Sequence, residues 1–322
     1  MIRPEDARLH TPSSPSRSWA ETNYWGFHIP GTDYLVTIYA LFRTNLNVVQ
    51  TMVVINSRRA QAVWEGDYWD FQAHVPMGPN FDLTNYSLES GLTVRAVEPN
   101  RVYEVRFDDN EGTSIEFTFT ALMDAFDIHD PEMDPLAGEA WGDAYNGHFD
   151  QTGIFEGTVT LRGHAMPFRS VSTWDHSWGI RPERHRSSLS WLHAHFSEDY
   201  AIHAMLAYDV ADRASTMTLT HGYVLDHGKA YGMKAGHGTT EHEGWYPSLK
   251  DITLTDVRGK EYRLRGVGKT TFPLHAWPNI MFFNALMDWT DQDGVTAVGE
   301  TMDFYGIADL TDQQAKRGMG PW

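Results

Sequence analysis

The sequence predicts an all-β protein built from two antiparallel barrel or sandwich units in tandem. Short runs of β-branched and aromatic residues recur along the chain, often alternating apolar with polar, and Gly-, Asn- and Asp-rich turns separate them. Helical periodicity is scarce. The chain has 322 residues, whereas single hydrophobic cores stop growing near ~250–300 residues. Strand runs fall in both halves, which favours two units over one.

In chain order, residues 1–18 are polar, hold three prolines and lack an apolar run. They read as a loosely held arm, neither signal peptide nor membrane anchor. A first β unit is expected over 19–153. Residues 34–42 and 47–56 are rich in Val, Ile, Leu and Tyr and read as strands. Residues 93–97 and 101–107 flank a turn at Glu98-Pro99-Asn100. Over 114–120, Ile115, Phe117 and Phe119 point one way and Glu116, Thr118 and Thr120 the other. Residues 124–153 are acidic, with Trp141, Tyr145, His148 and Phe149 scattered among Asp, Pro and Gly. They read as a connection between units that lies over a ligand opening and gates it. A second unit is expected over 154–322. Its strands are read at 157–163, 189–196, 200–208, 216–225, 252–256, 261–266, 282–289 and 299–306, and a short helix at 311–317. No repeat with a period of about 20–50 residues is visible.

One stretch differs from the strands around it: Arg169-Ser-Val-Ser-Thr-Trp-Asp-His-Ser-Trp-Gly-Ile-Arg-Pro182. Asp175, His176, Trp174, Trp178, Gly179 and Arg181 fall within eight positions. If the stretch is extended, Trp174, His176 and Trp178 share one face and Asp175 and Ser177 the other. A kink at Gly179 would turn Arg181 back toward them. A carboxyl group enclosed by indoles is desolvated and keeps its proton near neutral pH. Aromatic faces stabilise a passing cation. The combination suits protonating an alkene and guiding the carbocation. The same stretch also fits a strand end whose tryptophans are core.

Two further groups carry chemistry. His193 and His195 share a strand face with Trp191, and Glu198 follows closely. That pattern fits a metal ion, but hydrogen-bonded histidines on a sheet are the commoner case. Glu300 stands among Ala297, Val298, Gly299 and Met302, with Asp303 and Tyr305 after it. It is either an inward acid, costly unless functional, or an outward one. Gly268-Lys-Thr270 lacks the leading glycine of a phosphate loop, and no Gly-x-Ser-x-Gly elbow occurs.

Charge removes other classes. Lys and Arg number 25 against 43 Asp and Glu, a net charge of −18, which nucleic acid and anionic membranes would repel. The chain has no cysteine, hence no disulfide, thiolate nucleophile or zinc–thiolate site. No apolar window approaches the ~18 residues of a spanning helix. Aromatics make up 13%, with 12 Trp, which suits a flat-walled apolar cavity as well as an aromatic core. The expectation is a cytoplasmic protein whose partner is an apolar small molecule, without nucleic acid or membrane insertion; a homo-oligomer is left open.

The segment Thr173-Trp-Asp-His-Ser-Trp-Gly-Ile-Arg181 resembles the signature of the hydroxyneurosporene synthase (carotenoid 1,2-hydratase) / AttH-like superfamily. There Asp-His-Ser-Trp-Gly-x-Arg follows a short Gly-bounded strand, here 157–163. The resemblance is specific over about residues 150–210. It implies two lipocalin-like β domains around a lipophilic cavity, and catalytic roles for His176 and Trp178. The family's Tyr-x-Asp pair has no counterpart at the expected distance, since Tyr208-Asp209 lacks the intervening residue. The expected protein is a cofactor-free enzyme that hydrates, cyclises or isomerises a C=C bond of an isoprenoid-like molecule, with no metal. Asp175, His176, Trp178 and Glu300 are expected to be catalytic. Trp174, Arg181, Trp191, His193, His195, Trp141, Phe149 and Tyr305 are expected to bind substrate. A non-catalytic lipophile carrier and a metal enzyme built on His193 and His195 are the alternatives.

Overall fold

A computed structural model describes residues 1–137, 145–181, 188–212 and 216–316. Trp141, expected at the cavity, lies outside the described residues. The first strands are β1 (Trp19–His28), β2 (Leu35–Arg43), β3 (Val48–Asn56), β4 (Tyr68–Pro76), β5 (Asn85–Ser87), β6 (Thr93–Glu98), β7 (Val102–Asp108) and β8 (Ser114–Ala121). After the brief β9 (Phe126–Asp127) comes a long hairpin of β10 (Gly147–Leu161) and β11 (His164–Ile180). These form one antiparallel sheet, ordered β4-β3-β2-β1-β11-β10-β8-β7-β6-β5, with β9 paired to β10. The sheet curls as a half-barrel around Trp25, Phe27, Phe42, Phe107, Phe119 and Trp174.

The second system begins at β12 (Ser188–His195). β13 (Tyr200–Tyr208), β14 (Met217–Asp226), β15 (Lys229–Glu243), β16 (Tyr246–Asp256), β17 (Glu261–Trp277), β18 (Ile280–Asp291) and β19 (Thr296–Gly306) follow as an up-and-down barrel. β19 pairs back to β12 and closes it at eight strands. Helix α1 (Ile307–Lys316) follows. The expected all-β tandem architecture is present. The expected boundary at 153/154, however, falls inside β10. That strand and β11 complete the first sheet, because Phe149, Phe155, Val159, Phe168 and Trp174 belong to its core. The chain changes sheet between Ile180 and Ser188.

Alternation decides what lies between the two systems. In β1, Trp19, Trp25 and Phe27 face the first core, while Ala20 and Tyr24 face away. All of β12 is buried: Leu192 and Ala194 fill the barrel, and Leu189 and Trp191 face outward. Those outward faces meet. Tyr24, Tyr39, Leu41, Met52 and Val54 of the sheet pack against Trp191, Met205, Leu274, Phe282 and Met302 of the barrel.

Residues 1–18 are not a loose arm. The Met1 ammonium lies 2.9 Å from Asp127 and 3.2 Å from Asp130. Asn100 Nδ2 donates to the Arg3 carbonyl at 2.8 Å, and Asn45 Nδ2 to those of Ser14 and Ser16, each at 2.8 Å. Of residues 124–153, expected to lie over the cavity, Tyr145 and His148 line it, and 138–144 lie outside the described residues. The last seven residues of this segment are in β10, and Asp134 is fully buried.

Candidate active site

β11 runs between β1 and β10, with Asp175 opposite Tyr24 on one side and Asp150 on the other. Its even residues, Trp174, His176 and Trp178, face the first core, and Asp175 and Ser177 face the barrel. A cavity of about 60 Å³ opens there, between the two systems. Thr22, Tyr24, Tyr39, Asp175 and Ser177 line it from the sheet, Trp191, Leu274, Trp277, Phe282 and Met302 from the barrel, and Tyr145 and His148 beside them. This volume holds about two waters; a larger ligand enters only if the rings separate.

The Asp175 carboxyl is partly open to this cavity and otherwise enclosed. Among the described residues it has no hydrogen-bond partner. Burial first, and then the charge of Asp150, holds its pKa well above the usual range, with Glu300 adding and Arg181 opposing. Glu300 projects outward from β19 yet is buried against the sheet. Tyr24 Oη donates to Glu300 Oε1, and Asn284 Nδ2 donates to the same oxygen at 2.6 Å. Burial raises Glu300 to about 7 against the pull of those two donors. Gly26 permits this approach, since a Cβ there would sit 2.4 Å from Glu300 Oε2. Both sequence readings of Glu300 thus hold in part: it points out of its barrel and is still buried.

Behind Trp191 lies a network centred on Asp150. Its Oδ2 accepts from His148 Nε2 at 2.9 Å and His221 Nε2 at 3.1 Å, and its Oδ1 from Trp191 Nε1 at 3.1 Å. His203 Nε2 is 3.2 Å from Oδ2. His221 Nδ1 reaches Asp134 at 3.1 Å. Against the cost of burial, these two carboxylates raise His221 to about 9, so it is an imidazolium. Burial opposes the Asp150 charge, but His203 and His148 keep its pKa far below the usual range. His193 stacks on His203 with centroids 4.5 Å apart and meets Trp191 edge-on at 3.8 Å; neither of its nitrogens has a partner. His195 bonds Thr173 Oγ1 at 3.1 Å.

The cluster of His193, His195 and Glu198, on which the alternative metal enzyme would depend, does not assemble among the described residues. Glu198 follows the end of β12, lies exposed and pairs with Arg169. Asp150, His193 and His203 converge instead, with one ligand atom from each within 4.8 Å of the others.

The opposite face of β11 holds His176. Its Nδ1 donates to the Thr22 carbonyl at 2.9 Å, and its Nε2 lies 3.7 Å from Glu21 Oε2. His10 Nδ1 is 3.1 Å from that oxygen, and the His10 ring stacks on Trp178 at 3.8 Å. Burial lowers His176 to about 3 and raises Glu21. Asp175 and His176, both expected to be catalytic, are therefore separated by the thickness of the sheet. The cause is the two-residue period of a strand. Trp174 stacks on Trp25 and donates to Gln151 at 2.9 Å, and Phe149 packs edge-on against it; both are first-core residues away from the cavity.

Tyr305 also misses the cavity. It faces the barrel interior, 3.1 Å from His242 Nε2, in a buried group with Asp303 and Lys250. Arg181 does reach the cavity edge: Nη2 donates to Ser177 Oγ at 2.8 Å, and its guanidinium lies over Tyr145 at 4.3 Å. Gly179 adopts a φ of +143°, but β11 keeps its register with β1 through it, and Arg181 shares parity with Asp175. Sequence reading missed Tyr24, Tyr39, Trp277, Glu21 and Asp150 with its partners His203 and His221. His148-x-Asp150, two titratable residues at strand spacing, was the available signal.

A half-barrel sheet packed against a closed eight-stranded barrel defines an all-β, tandem lipocalin-like fold. The chain belongs to the family described as Domain of unknown function (DUF7064), whose model matches residues 3–302. Among solved structures it resembles an AttH-like protein, NE1406, from Nitrosomonas europaea. Identity there is 11%, coverage 88% of this chain and 91% of that one, and TM-score 0.58. It also resembles kievitone hydratase from Nectria haematococca, with 15% identity, 91% and 90% coverage and TM-score 0.55. No curated protein matches it in sequence. Among the described residues, no helix is long and apolar enough to cross a membrane.

Proposed function

We propose that this protein is a hydratase-type enzyme that uses Asp175 to protonate a C=C bond of an apolar, isoprenoid-like small molecule held between the sheet and the barrel. The observation that carries the reading is the placement of Asp175: a carboxyl without a partner on the wall of an aromatic cavity. A carboxyl in such surroundings is cheapest to keep neutral, and a neutral acid has a proton to give. Protonation at one alkene carbon leaves a cation at the other. The faces of Trp191, Tyr39 and Trp277 stabilise that charge. Water attacks the cation and its surplus proton returns to the Asp175 carboxylate, so the acid is regenerated and no cofactor enters. Capture by a second alkene, or loss of a different proton, would give cyclisation or isomerisation. Tyr24, tied to Glu300, fixes the cavity wall beside Asp175. The hydratase among the structural neighbours supports the class of reaction.

The test is a panel of prenyl alcohols and polyenes incubated in isotopically labelled water with wild type and Asp175→Asn. Wild type should incorporate label, and Asp175→Asn should lose at least about 100-fold in rate, the low end for a general acid, with an unchanged circular-dichroism spectrum. A folded Asp175→Asn that turns over at the wild-type rate would remove Asp175 from the chemistry. Tight binding of polyenes without label incorporation would instead make the protein a carrier.

A further inference from the structure

We propose that His10, Glu21 and His176 form a divalent-metal site of the kind that takes Zn²⁺, on the face of β11 opposite Asp175, and that its ion fastens residues 1–18 to the first sheet. The three residues come from the arm, β1 and β11. One nitrogen from each imidazole and one carboxylate oxygen lie within 4.8 Å of one another.

The hydrogen bonds around them point bare lone pairs at a common place. His176 Nδ1 faces the Thr22 carbonyl at 2.9 Å, and a carbonyl only accepts, so Nδ1 carries the ring hydrogen. Nε2 then presents a lone pair. It has no hydrogen-bond partner, the side chain is about 2% exposed, and the nearest anionic atom is Glu21 Oε2 at 3.7 Å. Two lone-pair atoms facing each other in a buried site repel unless a cation lies between them.

His10 completes the set. Its Nδ1 lies 3.1 Å from Glu21 Oε2, and its Nε2 lies 3.4 Å from Asp6 Oδ1, an acceptor that takes the ring hydrogen when Nδ1 serves as the ligand. Glu21 Oε1 is held by the His10 backbone N–H at 2.7 Å. Each ligand thus has an outer partner that sets its orientation, the arrangement that metal-binding imidazoles and carboxylates characteristically show. Two nitrogens and one oxygen suit Zn²⁺ and leave a fourth position for water. The alternative group is less suited: Asp150 Oδ2 already accepts two N–H donors and Oδ1 a third.

This site accounts for the motif residues that the cavity leaves unused. His176 supplies a ligand, and Trp178 stacks on the His10 ring and steadies it. The site also gives the arm an anchor that its sequence does not otherwise announce. The proposal is independent of the chemistry at Asp175.

The experiment uses untagged full-length protein, stripped with EDTA, dialysed and titrated with Zn²⁺, and with Co²⁺ as an optical probe. About one equivalent of Zn²⁺ should bind, Co²⁺ should give d–d absorption of nitrogen and oxygen ligation, and hydrogen exchange in residues 1–18 should slow. His10→Gln changes a partly exposed arm residue and should fold; it should lose the ion and the protection of the arm. His193→Gln should keep both. Absence of saturable binding, retention of the ion by His10→Gln, or its loss in His193→Gln alone would each overturn the site. Binding that leaves exchange of the arm unchanged would overturn the fastening role.

Discussion

Replacing Glu300 by Gln should make the protein more stable at pH 8 while changing little near pH 4.5. Glu300 is buried between β19 and β1, and burial raises it from 4.5 to about 7. An acid raised on folding binds its proton more tightly in the native state. Its stabilising contribution is therefore complete below pH 4.5 and is lost as pH rises through 7. At ~1.4 kcal/mol per pH unit, that interval corresponds to about 3 kcal/mol. Gln has the shape of the protonated acid, and its Oε1 can accept from both Tyr24 and Asn284, as Glu300 does. The Gln amide does not titrate, so any cost of burying its N–H is the same at every pH and the pH difference isolates ionisation. Urea unfolding followed by tryptophan fluorescence at pH 4.5 and pH 8 measures it. The variant's advantage should grow by about 3 kcal/mol across that range. An equal difference at both pH values would show that Glu300 ionises freely in the folded protein, and the account of its buried pairing with Tyr24 would be wrong.

Two further predictions concern the other buried charges. His221→Gln removes an imidazolium held by Asp134 and Asp150. A base raised to about 9 stabilises fully below its ordinary pKa of 6.5 and ceases to do so as pH passes 9. The variant should therefore be markedly less stable than wild type at pH 6, and the gap should narrow above pH 9. Inside the barrel, Lys250→Met strands the Asp303 carboxylate, which Lys250 and His242 keep charged despite burial. It should cost about 3–5 kcal/mol by chemical denaturation, and Asp303→Leu added to it should restore part of the loss; a double variant no better than the single would refute the pairing.

Much of the fold was legible because strands that expose one face announce themselves. Residues 114–120 alternate cleanly, and 200–208 appears with its expected bounds as β13. β15 was not legible. It carries Gly232, Gly236 and Gly238, poor strand formers, and is a strand because β14 and β16 hydrogen-bond it from both sides. The separation of Asp175 from His176 followed from alternation alone. Which side held the cavity did not, because both faces of β11 are buried and aromatic. Asp150 was hidden for a different reason: its partners His203 and His221 lie 53 and 71 positions away, on β13 and β14, and only the packing of the barrel against the sheet brings them in. The Tyr24–Glu300 contact spans 276 positions, beyond the reach of any local pattern.

β11 is a partition with different contents on its two sides, and this restricts what kinds of change it can accept. A substitution alters one side. A single inserted or deleted residue between His164 and Ile180 would exchange the sides for everything beyond it: an imidazole would enter the aromatic cavity, and a carboxyl would enter the core behind Trp178. Neither side could repair this alone, because Tyr24 and Asp150 would keep their places on β1 and β10. Variation in this protein should therefore run through side-chain exchange along β11 and through length changes at the hairpin turn between Leu161 and His164, where an added residue need not shift the pairing beyond it.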